Sequence, residues 1–567
     1  MTVLKVLSFL SSLFFIGLFF FLVASNSVDI PVGDDFYCLL LFAQEFHDSD
    51  SLLKGWSLLT EQWVEHRILF SRLTALISLL IHGQVNFVTI ILLGNLTLVA
   101  MTVLFGFFLR KVGQFSWFYL LPVVLILFNP AAFEGNVWAG AATVYMPVCF
   151  LGLLTIYLVA QGSKTAFFLG IITASIATFS FGNGMFAFFS AFIVLLYLKE
   201  FKKAGIWATV AVLMVCCYFY GYGVHSATKS FDLFVHFRYP MYIIYNLLVF
   251  IGGVFNLIDN TNSHFQAENL PSLLMGLILL VVILIGVFIF LFQDRPVYTP
   301  RTDTRKPKVI WLGMALFILL TTLAMTYSRT FGESMNTVSS RYRIYSMLFF
   351  ILAYLWCFMF FKNKKAVAAG YGSIALLLLG FNYFMNFDKL ANFKSSFLAG
   401  VYNYKVNHDW VIYRHTAYYA PASVAVSDSI SKADEPVYRF KNAFPELTLS
   451  SILNAKELSH VTVTKSEGCI DKKSNCIYVA SDHFPETPNN HKGIYLVFYN
   501  QKNIYLLPCD PVKNGKVKML TSFRYFKNGF ATQVDYDFIR PDGDGYKLAI
   551  FCPSNRGDKI MKINDPL

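Results

Sequence analysis

Charge is what this sequence has least of. Asp, Glu, Lys and Arg make up 14% of its 567 residues, against about a quarter in ordinary soluble proteins. That shortage, with 56% hydrophobic residues and a mean hydropathy of +0.54, excludes a soluble globular enzyme and predicts a polytopic membrane protein. Acidic residues are the scarcer sign, 34 against 46 basic, for a net charge of +12. The excess does not mark a nucleic-acid binder, because Lys and Arg gather in short loops between apolar runs, as the positive-inside rule requires. Also absent are a P-loop, a dinucleotide fingerprint after a strand, His-Glu-x-x-His and Gly-x-Ser-x-Gly, which removes the corresponding phosphate, hydrolase and metalloprotease chemistries. No chain of charged residues runs through mid-span, where an ion-driven transporter would need one.

Apolar runs are abundant. Residues 7–24 outlast the roughly 7–15 residues of a signal-peptide core and are read as a retained first span, with Lys5 holding its start in the cytoplasm. Further spans are predicted over 87–108, 118–128, 146–159, 166–181, 186–198, 207–222, 273–292, 309–325, 347–361 and 366–384, about eleven in all. Basic clusters at Arg110-Lys111, Lys199–Lys203, Arg295–Lys308 and Lys362–Lys365 mark the cytoplasmic side. The first loop (26–86), the loop 223–240 and the late loop 326–346 then face the periplasm. Residues 69–81 and 242–258 do not fit that alternation as spans and are assigned to interfacial or re-entrant helices.

From about Asn386 the composition turns soluble. Residues 1–385 are therefore expected to form a transmembrane domain and 386–567 a periplasmic β-rich or α+β domain. Runs such as GIYLVFYN (493–500) and YKLAIFC (546–552) have strand composition and are separated by Asn-Gly, Asp-Gly and Pro-rich turns. This part holds an even set of cysteines, Cys469, Cys476, Cys509 and Cys552. Their spacing suits disulfides Cys469–Cys476 and Cys509–Cys552 in an oxidising compartment better than the short Cys pairs of a zinc ribbon.

The chemistry concentrates in residues 31–72, where Asp34, Asp35, Glu45, Glu61, Glu65, His66, Arg67 and Arg72 stand among Phe, Tyr and Trp. Asp34 and Asp35 suit a helix N-cap, and one of them also suits general-base work at a membrane surface; Glu45 is the reserve. Arg67 and Arg72 offset that acidic charge and join the substrate-binding set. In the late loop Arg329, Arg341, Tyr342 and Arg343 place cations on the face where positive-inside logic disfavours them, which points to a lipid phosphate. Glu134 and Trp138 in EGNVW suit sugar hydroxyls and a pyranose face, or a cap and an interfacial anchor. Arg238 suits either a donor channel or a side chain that only snorkels to the interface.

Together, GDDF at 33–36 in an acidic first external loop, Ser340-Arg341-Tyr342 in a late one, an N-terminal span and an extracytoplasmic C-terminal domain resemble the class C membrane glycosyltransferases. Within that class the layout is most similar to the bacterial serotype-converting glucosyltransferases of O-antigen. The resemblance implies an inner-membrane hexosyltransferase using a polyprenyl-phosphate-linked sugar. Its acceptor would be lipopolysaccharide or another lipid-linked glycan, and its partners membrane lipids, a flippase and a donor-sugar synthase. It implies Asp34 or Asp35 as base and Arg341 and Arg343 on the departing lipid phosphate. Asp34-Asp35 lacks the spacer of an Asp-x-Asp pair, so no metal or other cofactor is expected. An O-antigen polymerase or ligase, a polysaccharide or lipid transporter and a non-catalytic envelope protein are the alternatives.

Overall fold

A computed structural model describes residues 2–223, 240–256, 269–292, 305–331, 334–335, 339–412, 420–467, 475–482, 493–535, 545–554 and 557–564. The chain forms two compact units. A helical unit comprises Met1–Ala24, Asp48–Ile77 and Thr89–Asn386; a sheet unit comprises Ser25–His47, Ser78–Val88 and Phe387–Leu567. The sheet unit thus takes in the Asp34-Asp35 stretch as well as the C-terminal part.

Among the described residues of the chain, nine helices are long and apolar enough to cross a membrane. The protein is a multi-pass helical membrane protein with a β-rich C-terminal region. The predicted spans over 166–181 and 186–198 are found as helices Lys164–Ser180 and Met185–Tyr197, about 26 and 20 Å long at 1.5 Å per residue and not among those nine. They meet at the turn Gly182–Gly184, where a Cβ on Gly184 would lie 2.0 Å from the Ala177 carbonyl oxygen.

Burial distinguishes the helices. Leu270–Phe292 buries Ser272, Gly276, Leu279, Ile283, Gly286 and Phe290, a single stripe at helical spacing, and leaves apolar Leu, Ile and Phe outside. That is how a helix facing lipid should look. Arg343–Phe360 is buried at every residue from Arg343 to Met359 and forms the centre of the bundle. Pro240–Ile251, about 18 Å long, packs on Leu270–Phe292 with almost no side chain between them: a Cβ on Gly276 would meet the Leu248 carbonyl oxygen at 1.8 Å. Small residues permit such an approach in membranes. Its frayed end is satisfied by Ser346, whose Oγ donates to Ile251 O at 2.6 Å and accepts from Val254 N–H at 2.8 Å. The helical unit also holds two small antiparallel strand pairs, β1 (Gln62–Trp63) with β2 (His66–Arg67) and β3 (Thr330–Phe331) with β4 (Ser334–Met335).

Helix Lys364–Asn407 runs unbroken for 44 residues. The expected end near residue 384 is absent because the composition changes there without any Pro or Gly to stop the helix. Instead Asn386 Nδ2 donates to Asn382 O at 3.0 Å, a bond along the helix.

The sheet unit contains β5 (Lys456–Glu457), β6 (Thr462–Glu467), β7 (Asn475–Ser481), β8 (Ile494–Tyr499), β9 (Ile504–Lys513), β10 (Phe526–Asp535), β11 (Lys547–Cys552) and β12 (Lys559–Ile563). Their order is β5-β12-β11-β8-β9-β10-β7-β6, antiparallel except for β5 beside β12. Every residue of β8 is buried. Ile494, Leu496 and Phe498 enter one core with β7 and β9–β12, while Tyr495, Val497 and Tyr499 enter another with Ala399, Tyr402, Phe444 and Ile452. Period-two alternation therefore serves two cores rather than a core and solvent. The first half of β9 is satisfied by a helix: Asn403 bonds both the N–H and the C=O of Leu506, and Asn407 does the same for Ile504. Spaced four apart, the two asparagines stand in for a neighbouring strand.

Cys476 is disulfide-bonded, and its predicted partner Cys469 lies outside the described residues. Cys509 and Cys552 are not joined, contrary to expectation; both are buried thiols. β8 separates them, with Ile494 opposite Cys509 and Tyr495 opposite Phe551. Two strand spacings put their Cα atoms about 9.6 Å apart, beyond the roughly 7 Å that a disulfide spans.

Candidate functional site

In the helical unit, five segments far apart in sequence converge. The β1–β2 hairpin is one, and it is held by backbone chemistry. Arg67 donates from Nε to Tyr218 O at 2.8 Å, from NH2 to Tyr220 O at 2.7 Å, and from NH1 to Thr60 O. Arg72 NH1 donates to Leu58 O at 2.5 Å and Glu61 O at 2.8 Å. Arg343 is 3% exposed and donates to Ala131 O at 3.2 Å. These arginines, expected to bind substrate, direct donors at main-chain carbonyls and so fasten the scaffold. Guanidinium supplies enough donors to do this where the chain has no regular partner.

The other arginines are disposed differently. The Arg341 guanidinium lies 5.6 Å from the Trp138 ring centroid and 5.2 Å from that of Tyr342, a cation between two aromatic faces. Its Nε is buried without a hydrogen-bond partner. Glu134 positions it: one oxygen, Oε2, accepts from Ser339 Oγ at 2.6 Å, Ser340 Oγ at 2.8 Å and Arg341 N–H at 3.2 Å. In return Glu134 N–H donates to Ser340 Oγ at 3.2 Å. A carboxylate on the exposed N–H groups of the turn Ser340–Tyr342 is the favourable pairing, and this one fixes where Arg341 begins.

Aromatic contacts carry the cluster onward. Tyr145 meets Tyr342 edge-on at 5.0 Å and Phe181 at 5.5 Å, and Phe181 lies 4.0 Å from His66. Arg329, at the end of helix Arg305–Arg329, and Arg341 both act electrostatically on Tyr145. Burial, and next the charge of Arg329, lower the pKa of His66 to about 4, so its imidazole is neutral at pH 7. His66 Nδ1 and Asn183 Oδ1 are buried without hydrogen-bond partners. Gly182 lies close against this group: a Cβ there would come within 3.2 Å of the Tyr218 hydroxyl and 3.4 Å of His66 Nδ1. Cations, aromatic walls and unsatisfied amide and imidazole groups in one place suit an anion that carries hydroxyls.

An apolar groove of about 550 Å³ opens in the same unit between Met185–Tyr197 and Phe201–Phe219. Met185, the residue after the Gly182–Gly184 turn, and Cys216, two before Tyr218, line one end; Phe192 and Ala208 line it further along.

The acidic pair belongs to the sheet unit and is treated asymmetrically. Asp34 is exposed and its carbonyl starts the π-helical turn Phe36–Leu41, accepting from Tyr37 and Cys38 N–H. Asp35 is 1% exposed and its Oδ2 accepts from Val32 N–H at 3.2 Å. Glu45 is exposed on helix Phe42–His47, whose Gln44 fastens the segment to Glu435 O and Val437 N–H. Nearby, Asp29 Oδ1 accepts from Phe87 N–H at 2.7 Å; burial raises its pKa, opposed by that bond and by Lys441. Among the described residues no three His, Cys, Asp or Glu side chains are grouped to hold a metal ion.

Thus Arg341, Tyr342, Arg329, Glu134 and Trp138 of the expected set come together, Arg67, Arg72 and Arg343 are structural fasteners, and Arg238 lies outside the described residues. The sequence reading missed three participants. His66 stands beside an arginine in an acidic loop, Asn183 sits in a Gly-Asn-Gly turn, and Tyr145 is one tyrosine among 31. A polar Asn between two glycines inside an otherwise apolar run was the one available pointer. No family model, no curated protein and no solved structure matches this chain.

Proposed function

We propose that this protein is a glycosyltransferase that moves a hexose from a polyprenyl-phosphate-linked donor to an extracytoplasmic glycan. The observation that carries the reading is the pairing, within one unit, of the Arg341–Trp138–Tyr342 cation site with an apolar groove that begins one residue after the Gly182–Gly184 turn. A polyprenyl-phosphate-linked sugar has that polarity: an anionic headgroup on a long hydrocarbon chain. Arg341 and Arg329 stabilise the charge that develops on the lipid phosphate as the glycosidic bond breaks. Trp138 offers a face to the sugar, and His66 and Asn183 offer acceptors for its hydroxyls.

A carboxylate must take the proton of the attacking acceptor hydroxyl, and it must be reachable. Of the acidic pair in the sheet unit, Asp34 is exposed and is the candidate, and Asp35 is buried on Val32 N–H. In the proposed orientation the reaction centre faces the periplasm of a bacterial inner membrane.

The test is transfer by membranes containing the protein, supplied with either polyprenyl-phosphate hexose or the nucleotide sugar. Label should reach glycan from the lipid-linked donor alone. Transfer from the nucleotide sugar in membranes free of polyprenyl phosphate would reject the reading.

A further inference from the structure

The sheet unit contains a second polar pocket, of about 400 Å³, between helix Lys516–Ser522, strand β10 and the residue that follows β7. We infer that it is a binding site for an anionic saccharide. It lies wholly within the sheet unit, uses no residue of the Arg341 cluster, and its occupancy does not depend on the transfer reaction.

The pocket is built by two local devices. The first is a bulge: pairing of β10 with β9 shifts register between Phe526 and Phe530. Gly529 takes φ +109°, and a Cβ there would lie 2.5 Å from Ser481 O, so the backbones touch and no other residue fits. Bulges re-aim side chains, and this one turns Lys527 and Asn528 into the pocket lining. The second device is Asn514. Its Nδ2 donates to Arg524 O at 2.9 Å and Phe526 O at 3.1 Å, and its main-chain N–H to Tyr525 O at 2.8 Å. These bonds clip the chain on either side of the helix. Asn514 is 4% exposed, lines the pocket, and its Oδ1 has no hydrogen-bond partner. A buried acceptor left unsatisfied is costly, and a ligand donor removes the cost.

The lining specifies the donor's chemistry. Lys518, Arg524 and Lys527 supply positive charge, which Asp482, 3.8 Å from Lys527, offsets only in part. Phe526 supplies a half-buried ring, held by Phe387 and Tyr525 at 6.1 and 4.8 Å. A hydroxyl for Asn514 Oδ1, a carboxylate or phosphate for the cations and a ring face for Phe526 are together the features of a uronate or phosphorylated sugar. The volume admits about one or two sugar rings. Val517, Leu520 and Phe523 are exposed beside the pocket, at 76%, 70% and 93%, so an anionic lipid surface is the competing occupant.

The test is calorimetric titration of the full-length protein in detergent, without donor lipid, using trigalacturonate, maltotriose phosphate and neutral maltotriose. At least one charged probe should bind about tenfold or more tighter than the neutral one, weaken with salt, and weaken about tenfold in Lys518→Ala/Arg524→Ala. Both positions are exposed, so that variant retains the fold. Which charged probe binds tighter distinguishes carboxylate from phosphate. Equal binding of charged and neutral probes, no binding of either charged probe, unchanged binding by the double variant, or affinity for phosphatidylglycerol vesicles alone would each overturn the inference. None of these outcomes bears on transfer from the lipid-linked donor.

Discussion

The Arg341 cluster of the helical unit and the Asp34-Asp35 turn of the sheet unit both set charge among aromatic rings, yet they are assembled in opposite ways. The turn is local: Asp35 bonds Val32, and Asp34 accepts from Tyr37 and Cys38. The cluster is made of segments that the fold alone brings together, with Glu134 reaching Ser339–Arg341 and His66 reaching Phe181. A local device betrays itself in sequence by adjacency. A convergent one does not, because what each side chain does depends on which main-chain groups happen to lie within its reach.

Four variants press on this contrast, in descending order of expected effect. Asp34→Asn should lower transfer by about 10²–10⁴-fold, the usual worth of a general base, while Asp35→Asn keeps transfer within about tenfold, since an amide oxygen still accepts from Val32 N–H. Rate measurements on both, at matched expression, would separate the exposed from the buried carboxylate. Glu134→Gln should weaken the Ser339–Arg341 latch by about 1.5–3 kcal/mol and raise the apparent KM for the lipid donor, because Arg341 loses its anchor. Arg67→Ala leaves main-chain carbonyls of Thr60, Tyr218 and Tyr220 without a donor. It should cost about 2–3 kcal/mol of stability, seen as a lower unfolding midpoint, while activity per folded molecule persists.

The smallest effect is a pH dependence. His66 has a folded pKa of about 4, below its ordinary 6.5. Folding therefore favours the neutral ring, and this contribution is present above pH 6.5 and lost as the pH falls from 6.5 through 4. His66→Gln should flatten that part of the unfolding-midpoint curve and leave the region from pH 7 to 8 unchanged.

Much of the helical architecture was legible, because lipid demands long apolar runs and offers no partner for exposed main chain. Less so were the interruptions. Helices Lys164–Ser180 and Met185–Tyr197 occupy nearly the residues expected for two spans and meet at the Gly182–Gly184 turn, yet at 17 and 13 residues they are shorter than the nine candidate spans. The change to soluble composition near residue 386 coincides with the boundary between the two units, but not with a helix end, since Lys364–Asn407 is one helix. Counting cysteines paired Cys509 with Cys552; strand order, which places β8 between them, forbids it. In the site, five of the expected residues come together, but nothing in the sequence separates Arg341, beside two aromatic rings, from Arg67, spent on carbonyls.

The most direct measurement is the rate of hexose transfer from radiolabelled polyprenyl-phosphate donor by Arg341→Ala, with Arg341→Lys alongside and folding checked for both. Removing one preorganised cation from a developing phosphate charge should cost about 10²–10³-fold, with partial recovery in the lysine variant, which restores charge but not the planar, multi-donor guanidinium beside Trp138 and Tyr342. Wild-type rates in a properly folded Arg341→Ala protein would contradict the account, because the lipid phosphate would then be held elsewhere.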